Sequence, residues 1–156
     1  LVPVPERSRR GGGSKFLKQE MPIYDQLPVF KASYDLLLEV FLTVKNLTKE
    51  YKYTLGERLK EEVLELIIGI YRTNSRKDKL HMIRQAREEV EVIRLLVRLL
   101  FDLKQITLKR MVAVNERIEL VSKQLAGWHK ALEKKQEYNN KGPESSHATA
   151  GLSAPD

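Results

Sequence analysis

Seven apolar side chains recur at intervals of three and four residues in the second half of the chain, and this regularity limits the possible folds most. They are Met111, Val114, Ile118, Val121, Leu125, Trp128 and Leu132. Residues three and four apart lie on one face of an α-helix, whereas a strand returns to the same side every second residue. A register held over seven positions predicts a long helix that begins near Thr107 and packs lengthwise against other helices.

The same periodicity predicts three earlier helices. The first is predicted from about Gln26 to Leu47 and carries two apolar stripes. One stripe comprises Phe30, Tyr34, Leu37, Phe41 and Val44, and the other comprises Val29, Leu36, Val40 and Leu47. Because a helix with two apolar stripes usually contacts neighbours on two sides, we expect more than one helix to cover it.

The second and third predicted helices have recognisable starts. The sequence from Thr54 to Glu57 matches a capping box, in which the threonine and glutamate side chains bond the first free amides of a helix. This second helix continues to about Arg72, and its apolar residues are Leu59, Val63, Leu66, Ile67 and Ile70. Ser75 is a suitable N-cap for the third helix, predicted from about Lys77 to Gln105. The apolar face of the third helix comprises Ile83, Ala86, Val90, Ile93, Val97 and Leu100.

Short connections between these segments predict that consecutive helices are antiparallel neighbours. The predicted fold is all-α, an up-down-up-down antiparallel four-helix bundle over residues 21–138. Residues 1–20, rich in Pro, Arg and Gly, are predicted to form a disordered basic extension, and residues 139–156 a disordered C-terminal tail. Two interpretations of the extension stay open: a segment ahead of an alternative start at Met21, or a functional basic arm.

An excess of basic residues bears on the kind of partner. The chain of 156 residues has 28 Lys and Arg against 21 Asp and Glu, a net charge of +7, and most of this excess lies within residues 21–138. A basic balance favours polyanionic partners. The absence of cysteine is typical of the reducing cytoplasm. Since no apolar run approaches the ~18 residues that span a bilayer, we expect a cytoplasmic protein with no membrane partner.

No cluster of residues predicts catalysis or a bound metal. His81, His129 and His147 are scattered, and the predicted helices carry none of the Glu-x-x-His pairs that build metal sites in helical bundles. Gly69 and Gly127 are isolated and do not form a phosphate-binding loop. We therefore expect a non-enzymatic protein with no catalytic residues, no metal and no cofactor.

Basic residues gather on the third helix and around its two ends. Arg84, Arg87, Arg94 and Arg98 lie close to one stripe of this helix. The candidate nucleic-acid or partner-binding residues are Arg72, Arg76, Lys77, Lys79, Arg84, Arg87, Arg94, Arg98, Lys104, Lys109 and Arg110. Two interpretations stay open, because arginine binds phosphates and carboxylates alike. The stripe either binds a polyanion or a protein, or is neutralised by Glu88 and Glu91 on the same helix.

The run VIRLLVRLLF, residues 92–101, has more apolar residues than one core-facing side of a helix needs. The additional residues are Val92, Leu95, Leu96, Leu99 and Phe101. They predict a helix covered on more than one side, as subunit packing would do. Arg94 and Arg98, inside this run, are expected to pair with carboxylates across a subunit boundary or to point into a central basic channel.

The chain from Tyr24 to Trp128 resembles a family of four-helix-bundle proteins. The resemblance rests on the segments LPVFKASYDLLLEVF, KYTLGERLKEEVLELIIGIYRTNS, IRLLVRLLFDLKQI and ERIELVSKQLAGWHK. The family contains the accessory variability determinant (Avd) proteins of diversity-generating retroelements and proteins encoded in intervening sequences of ribosomal RNA genes. The segments KYTLGERL and LVSKQLAGW are closer to the retroelement branch.

The resemblance implies a homopentameric barrel of bundles with a basic surface. It implies a non-catalytic accessory subunit that binds the reverse transcriptase of the element, its template-repeat RNA and the RNA/DNA hybrid, and so supports mutagenic synthesis of complementary DNA. Two alternatives stay open. One is a protein linked to ribosomal RNA intervening sequences that binds structured RNA, and the other is a purely structural helical oligomer.

Overall fold

A computed structural model describes residues 27–142 of the protein, and all regular structure in this range is helical. The elements are α1 (Pro28–Lys45), the short α2 (Lys49–Tyr51), a π-helical segment (Lys52–Gly56), α3 (Glu57–Ser75), α4 (Lys79–Asp102) and α5 (Leu108–Asn140). The four long helices α1, α3, α4 and α5 correspond to the four predicted from the periodicity. No strand occurs within residues 27–142, which confirms the all-α prediction and is consistent with a helical bundle.

Each long helix packs against two others. α1 packs against α3 and α5, and α4 also packs against α3 and α5. As a result α1 and α4 occupy opposite corners of the assembly, and the core lies between all four helices. The predicted apolar face of α4, from Ile83 to Leu100, is buried at all six positions, as are Val114, Ile118, Val121 and Leu125 of α5. Met111, Trp128 and Leu132 are partly buried against the same core.

Only one of the two apolar stripes of α1 faces the core along its whole length. Val29, Leu36, Val40 and Leu47 are buried, whereas Tyr34 and Phe41 are 49% and 50% exposed. Each helical residue advances by about 100°, so Phe41 lies ~140° around α1 from Leu36. The helices that pack against α1, namely α3 and α5, do not cover the side of α1 that carries Phe41, so this side is exposed.

The second helix begins earlier than the predicted capping box. The chain is already helical from Lys49, after the extended Thr48. Thr54 lies inside the π-helical segment, and its hydroxyl donates to the backbone carbonyl of Glu50 at 2.8 Å instead of capping a helix. The capping-box prediction is therefore wrong, because an N-cap needs a non-helical residue and Thr48 supplies the break.

The caps of the last two helices give one correction and one confirmation. Ser75 is the last residue of α3, and its hydroxyl donates to the carbonyl of Arg72 at 3.0 Å, so it does not cap the following helix. Asp78 caps α4 by accepting from the backbone N–H of His81 at 3.2 Å. Thr107 caps α5 by accepting from the backbone N–H of Arg110 at 3.2 Å, which confirms the prediction that this helix begins near Thr107.

The predicted terminal segments fall almost wholly outside the described residues. The basic extension, residues 1–20, lies outside them, as do residues 21–26 and 143–156. At the other end, α5 continues through Asn139 and Asn140, where the C-terminal tail was predicted to begin.

Candidate nucleic-acid interface

A group of four cations surrounds the turn between α3 and α4. This turn cluster consists of Arg76, Lys77, Lys79 and Lys135. α3 ends at Ser75, and extended backbone at the next residue, with φ −101° and ψ 154°, directs the chain away from the axis of α3. α4 starts three residues later on its Asp78 cap. The first two cations of the cluster are exposed because they occupy this short turn.

The turn cluster lines a groove of about 400 Å³ between the turn and the C-terminal part of α5. Within residues 27–142, none of its four side chains forms an ion pair. The one acidic residue among the described residues that line the groove is Asp78, and its carboxylate is occupied in capping α4. The groove therefore presents net positive charge to solvent, which is what binding of several phosphates requires.

Arg84 and Arg87 lie one to two turns further along α4. They line a second groove of about 340 Å³ together with Glu88, Glu91 and Ser122. Neither arginine forms an ion pair with a carboxylate in the described part of the chain. The expected neutralisation of the stripe is thus incomplete at these two positions, and both guanidinium groups remain open to an anionic partner.

Three of the predicted site residues are engaged by carboxylates of the same chain. Arg94 Nη1 lies 2.5 Å from Glu119 Oε1 on α5, and its Nε lies 3.3 Å from Glu91 Oε2. Burial lowers the pKa of Arg94, but the hydrogen bond to Glu119 and the charges of both glutamates outweigh it and raise the pKa above its ordinary value. The carboxylates that engage Arg94 among the described residues thus belong to its own chain, and pairing across a subunit boundary stays a prediction.

Arg98 and Arg110 are paired in the same way. Arg98 Nε lies 3.0 Å from both carboxylate oxygens of Asp102, one turn along α4. Arg110 Nη1 lies 2.5 Å from Glu39 Oε1 and joins α5 to α1. The Arg110 pair joins two helices, and the Arg98 pair balances one charge on the face of α4 through Nε alone.

Lys104 and Lys109 lie at the opposite end of α4 from the turn cluster. The helix between them and that cluster has 24 residues, and at a rise of 1.5 Å per residue it is about 36 Å long. Both lysines are exposed, and Lys104 has a left-handed backbone with φ 56°. The predicted basic stripe is therefore not continuous, because the ion pairs of Arg94, Arg98 and Arg110 interrupt it.

Arg72 lies beside an acidic cavity of about 130 Å³ between α3 and α4. Glu89 lines this cavity, and its Oε2 is buried with no hydrogen-bond partner among the described residues. Burial raises the pKa of Glu89; the hydrogen bond from Gln85 opposes this, and the charges of Glu62 and Glu65 raise it further. Arg72 therefore shares its cavity with two carboxylates, Glu65 and Glu89, unlike the turn cluster.

Lys135 was not among the residues predicted from the sequence. It joins the turn cluster because α5 extends past the end of α3 and lies against the turn. The sequence does contain an indication of where Lys135 lies. It follows Leu132 by three residues, so it lies on nearly the same side of α5 as that core residue. What the sequence did not indicate is that this side of α5 meets the α3–α4 turn.

Metal-ligand clusters and membrane-spanning helices are both absent from the described residues. Within residues 27–142, no group of three or more His, Cys, Asp or Glu side chains could hold a metal ion. None of the described helices combines the length and apolar character needed to cross a membrane. Trp128 is partly buried against the core, so it is not available as a base-stacking surface.

Comparison with known proteins agrees with the resemblance found in the sequence. A family described as bAvd-like matches residues 27–132, which is about two thirds of the chain and covers α1, α3, α4 and most of α5. The chain belongs to the bAvd-like family. This confirms the resemblance to accessory variability determinant proteins, and membership supports an accessory, non-catalytic role in general. No curated protein matches the chain.

Proposed function

We propose that this bAvd-like protein is a non-catalytic accessory subunit of a diversity-generating retroelement. In this role it binds the template-repeat RNA and the RNA/DNA hybrid through the turn cluster, and it brings them to the reverse transcriptase. The observation that carries the proposal is the turn cluster itself, four cations around one groove with no ion pair among the described residues. Family membership supplies the retroelement context.

Arg84 and Arg87 extend the proposed binding surface along α4. They lie one to two turns along α4 from Lys79 and are also without an ion pair in the described part of the chain. A nucleic-acid strand that contacts the turn cluster could then continue along this face of the helix. Lys104 and Lys109 are too distant to belong to the same contact, and we assign them no part in it.

We further propose that the four long helices run up-down-up-down and that the protein assembles into a homopentamer. Residues 76–78 and 103–107 join long helices that pack side by side, and residues 46–48 lead from α1 into the helical run that continues as α3, which packs against α1. These short connections favour reversal of the chain at each of the three places. Four apolar residues follow one line along α4 and its C-cap and are each more than a third exposed: Val92, Leu95, Leu99 and Leu103. This line, here called the α4 stripe, is suited to contact with another subunit. The subunit number comes from the family resemblance.

Salt dependence of RNA binding tests the proposed role of the turn cluster. The variant Arg76→Gln/Lys77→Gln/Lys79→Gln removes three cations, and the matched control Lys49→Gln/Lys123→Gln/Lys130→Gln removes three exposed lysines elsewhere. Each lost phosphate contact lowers the slope of log K against log salt by about 0.7 to 0.9. We expect the slope for template-repeat RNA to fall by about 2 in the first variant and to change little in the control. Equal slopes in both variants would overturn the proposal.

The two alternative functions give different results. A reverse-transcriptase gene beside a template and variable repeat pair supports the retroelement role, and its absence favours a binder of structured RNA. If the wild-type protein retains no RNA at low salt, the chain is a purely structural oligomer.

A further inference from the structure

An apolar groove lies at the opposite end of α1 from its N-terminus, between α1 and the π-helical segment. Its volume is about 630 Å³. We call it the α1–π groove, and the large apolar side chains that line it are Leu38, Phe41, Leu42 and Tyr53, each 48% to 65% exposed. Three lysines stand among them: Lys45, Lys52 and Lys60. Exposed apolar surface gathered in one concavity is typical of an interaction site.

The shape of this groove depends on one glycine. A Cβ at Gly56 would lie 2.7 Å from Val44 Cγ1 and 3.2 Å from Leu47 Cδ1, so only glycine lets the π-helical segment come this close to α1. Close approach of the two elements sets Lys52 and Tyr53 beside the C-terminal half of α1. Single π-helical turns within α-helices are frequent at functional sites. The groove is therefore a built feature of the fold and not an accidental gap.

The charge around the groove indicates what it binds. Its one acidic residue among the described lining residues is Glu57, which pairs with Lys60 at 2.6 Å. Lys45 and Lys52 form no ion pair within residues 27–142. We propose that the α1–π groove binds an acidic amphipathic helix of a partner protein, with apolar residues against Leu42 and its neighbours and carboxylates beside Lys45 and Lys52. Helices with apolar residues at i, i+3, i+4 and i+7 dock into grooves in this way.

Two other occupants fit less well. Single-stranded RNA stacks its bases on open aromatic faces, but the Lys60 ammonium lies 5.0 Å from the centroid of the Phe41 ring, and much of the remaining lining is aliphatic. A second copy docking through its α4 stripe would offer the lysines of the groove no free carboxylate from its ion pairs, because Glu91, Glu119 and Asp102 already pair with arginines of their own chain. Because the groove shares no residue with the turn cluster, this inference does not depend on the proposed function.

Charge-matched peptides on the full-length protein test the inference. The probe is a labelled helical peptide of about 16 residues, with leucines at i, i+3, i+4 and i+7 and flanking glutamates; the matched peptide has lysines in place of the glutamates. We expect the glutamate peptide to bind about tenfold more tightly, since two favourable ion pairs replace two repulsive contacts. Lys45→Glu/Lys52→Glu should invert this preference, and the control Lys49→Glu/Lys123→Glu should keep it. Leu42→Asp, at a side chain 56% exposed, should weaken both peptides without unfolding the protomer.

Several results would overturn the inference. One is equal binding of the two peptides, or none, by wild-type protein. Another is a preference that Lys45→Glu/Lys52→Glu leaves unchanged. A lower native mass in Leu42→Asp would show that a second copy occupies the groove. Loss of RNA retention in Lys45→Glu/Lys52→Glu with unchanged peptide binding would show that the groove binds nucleic acid. The Arg76→Gln/Lys77→Gln/Lys79→Gln variant should bind the glutamate peptide normally, which separates this test from that of the proposed function.

Discussion

The guanidinium of Arg94 donates from Nη1 to Glu119 Oε1 at 2.5 Å and so links α4 to α5 within one chain. The side chain of Arg94 is 33% exposed and that of Glu119 is 51% exposed, so the pair lies at the rim of the interface between the two helices and not in the core. Glu91, one turn before Arg94 on α4, lies 3.3 Å from the same guanidinium. An arginine inside an apolar run is thereby explained by two carboxylates of its own chain.

Replacing Glu119 by glutamine should cost little stability. An ion pair this exposed contributes about 0.2 to 1 kcal/mol to the free energy of unfolding, and Glu91 remains to pair with Arg94. We expect a loss of about 0.5 kcal/mol in urea unfolding at low salt, and a smaller loss at high salt because surface ion pairs are screened. Glu116→Gln, an exposed carboxylate on α5 without an ion pair among the described residues, is the control. A loss above 2 kcal/mol would show that the pair acts as a buried one.

Gly56 and Gly127 should respond to alanine in opposite directions. A Cβ at Gly56 meets Val44 Cγ1 at 2.7 Å and the backbone carbonyl of Tyr51 at 3.1 Å, so Gly56→Ala should destabilise the fold by about 1 to 3 kcal/mol. Gly127 lies in α5 with no atom within 4 Å of such a Cβ, and Gly127→Ala should stabilise by about 0.5 to 1 kcal/mol. Urea unfolding of both variants measures the difference. An unchanged Gly56→Ala protein would contradict the close approach of the π-helical segment.

The buried carboxyl of Glu89 should make stability depend on pH. Its pKa in the folded protein is raised, chiefly by burial, so the folded state holds this proton more tightly than the unfolded state does. The contribution of Glu89 to the free energy of unfolding is therefore fully present below the ordinary pKa of glutamate. It is lost as the pH rises through the raised pKa. Glu89→Gln should be more stable than wild type at neutral pH, with no such advantage in acid. Unfolding midpoints across this range, with Glu116→Gln as the control, check the sign; an advantage that grows towards acid would contradict it.

The sequence pattern predicted the core of the fold well because burial in a helical protein repeats with the helix itself. All six predicted positions on α4, from Ile83 to Leu100, are buried. Helix ends were harder to predict, because the hydroxyl of a Ser or Thr residue can either accept from a free amide and cap a helix or donate to a carbonyl inside the preceding turn. The hydroxyls of Thr54 and Ser75 bond carbonyls three or four residues earlier, and Thr48 and Asp78 precede the helices instead.

The candidate site was only partly predictable because its charges are paired across the fold. Arg110 and Glu39 are 71 residues apart in sequence, and nothing in the pattern around either residue indicates their contact. Local pairs such as Arg98 with Asp102 could be predicted from the sequence, since residues four apart on a helix are neighbours. Without the paired arginines, the predicted set retains Arg76, Lys77 and Lys79 of the turn cluster, Arg84 and Arg87 further along α4, and the separate residues Arg72, Lys104 and Lys109.

The α4 stripe gives a test of the proposed assembly that does not disturb the protomer. Leu95 is 66% exposed, so Leu95→Glu loses little packing within its own chain, whereas a charge at the centre of a subunit interface is strongly unfavourable. We expect the native mass to fall towards the 18.1 kDa of one chain, with the helical circular dichroism unchanged. Tyr138→Glu, at a side chain 82% exposed near the end of α5, is the control and should keep the wild-type mass. If Leu95→Glu leaves the mass unchanged, the stripe is not the subunit contact.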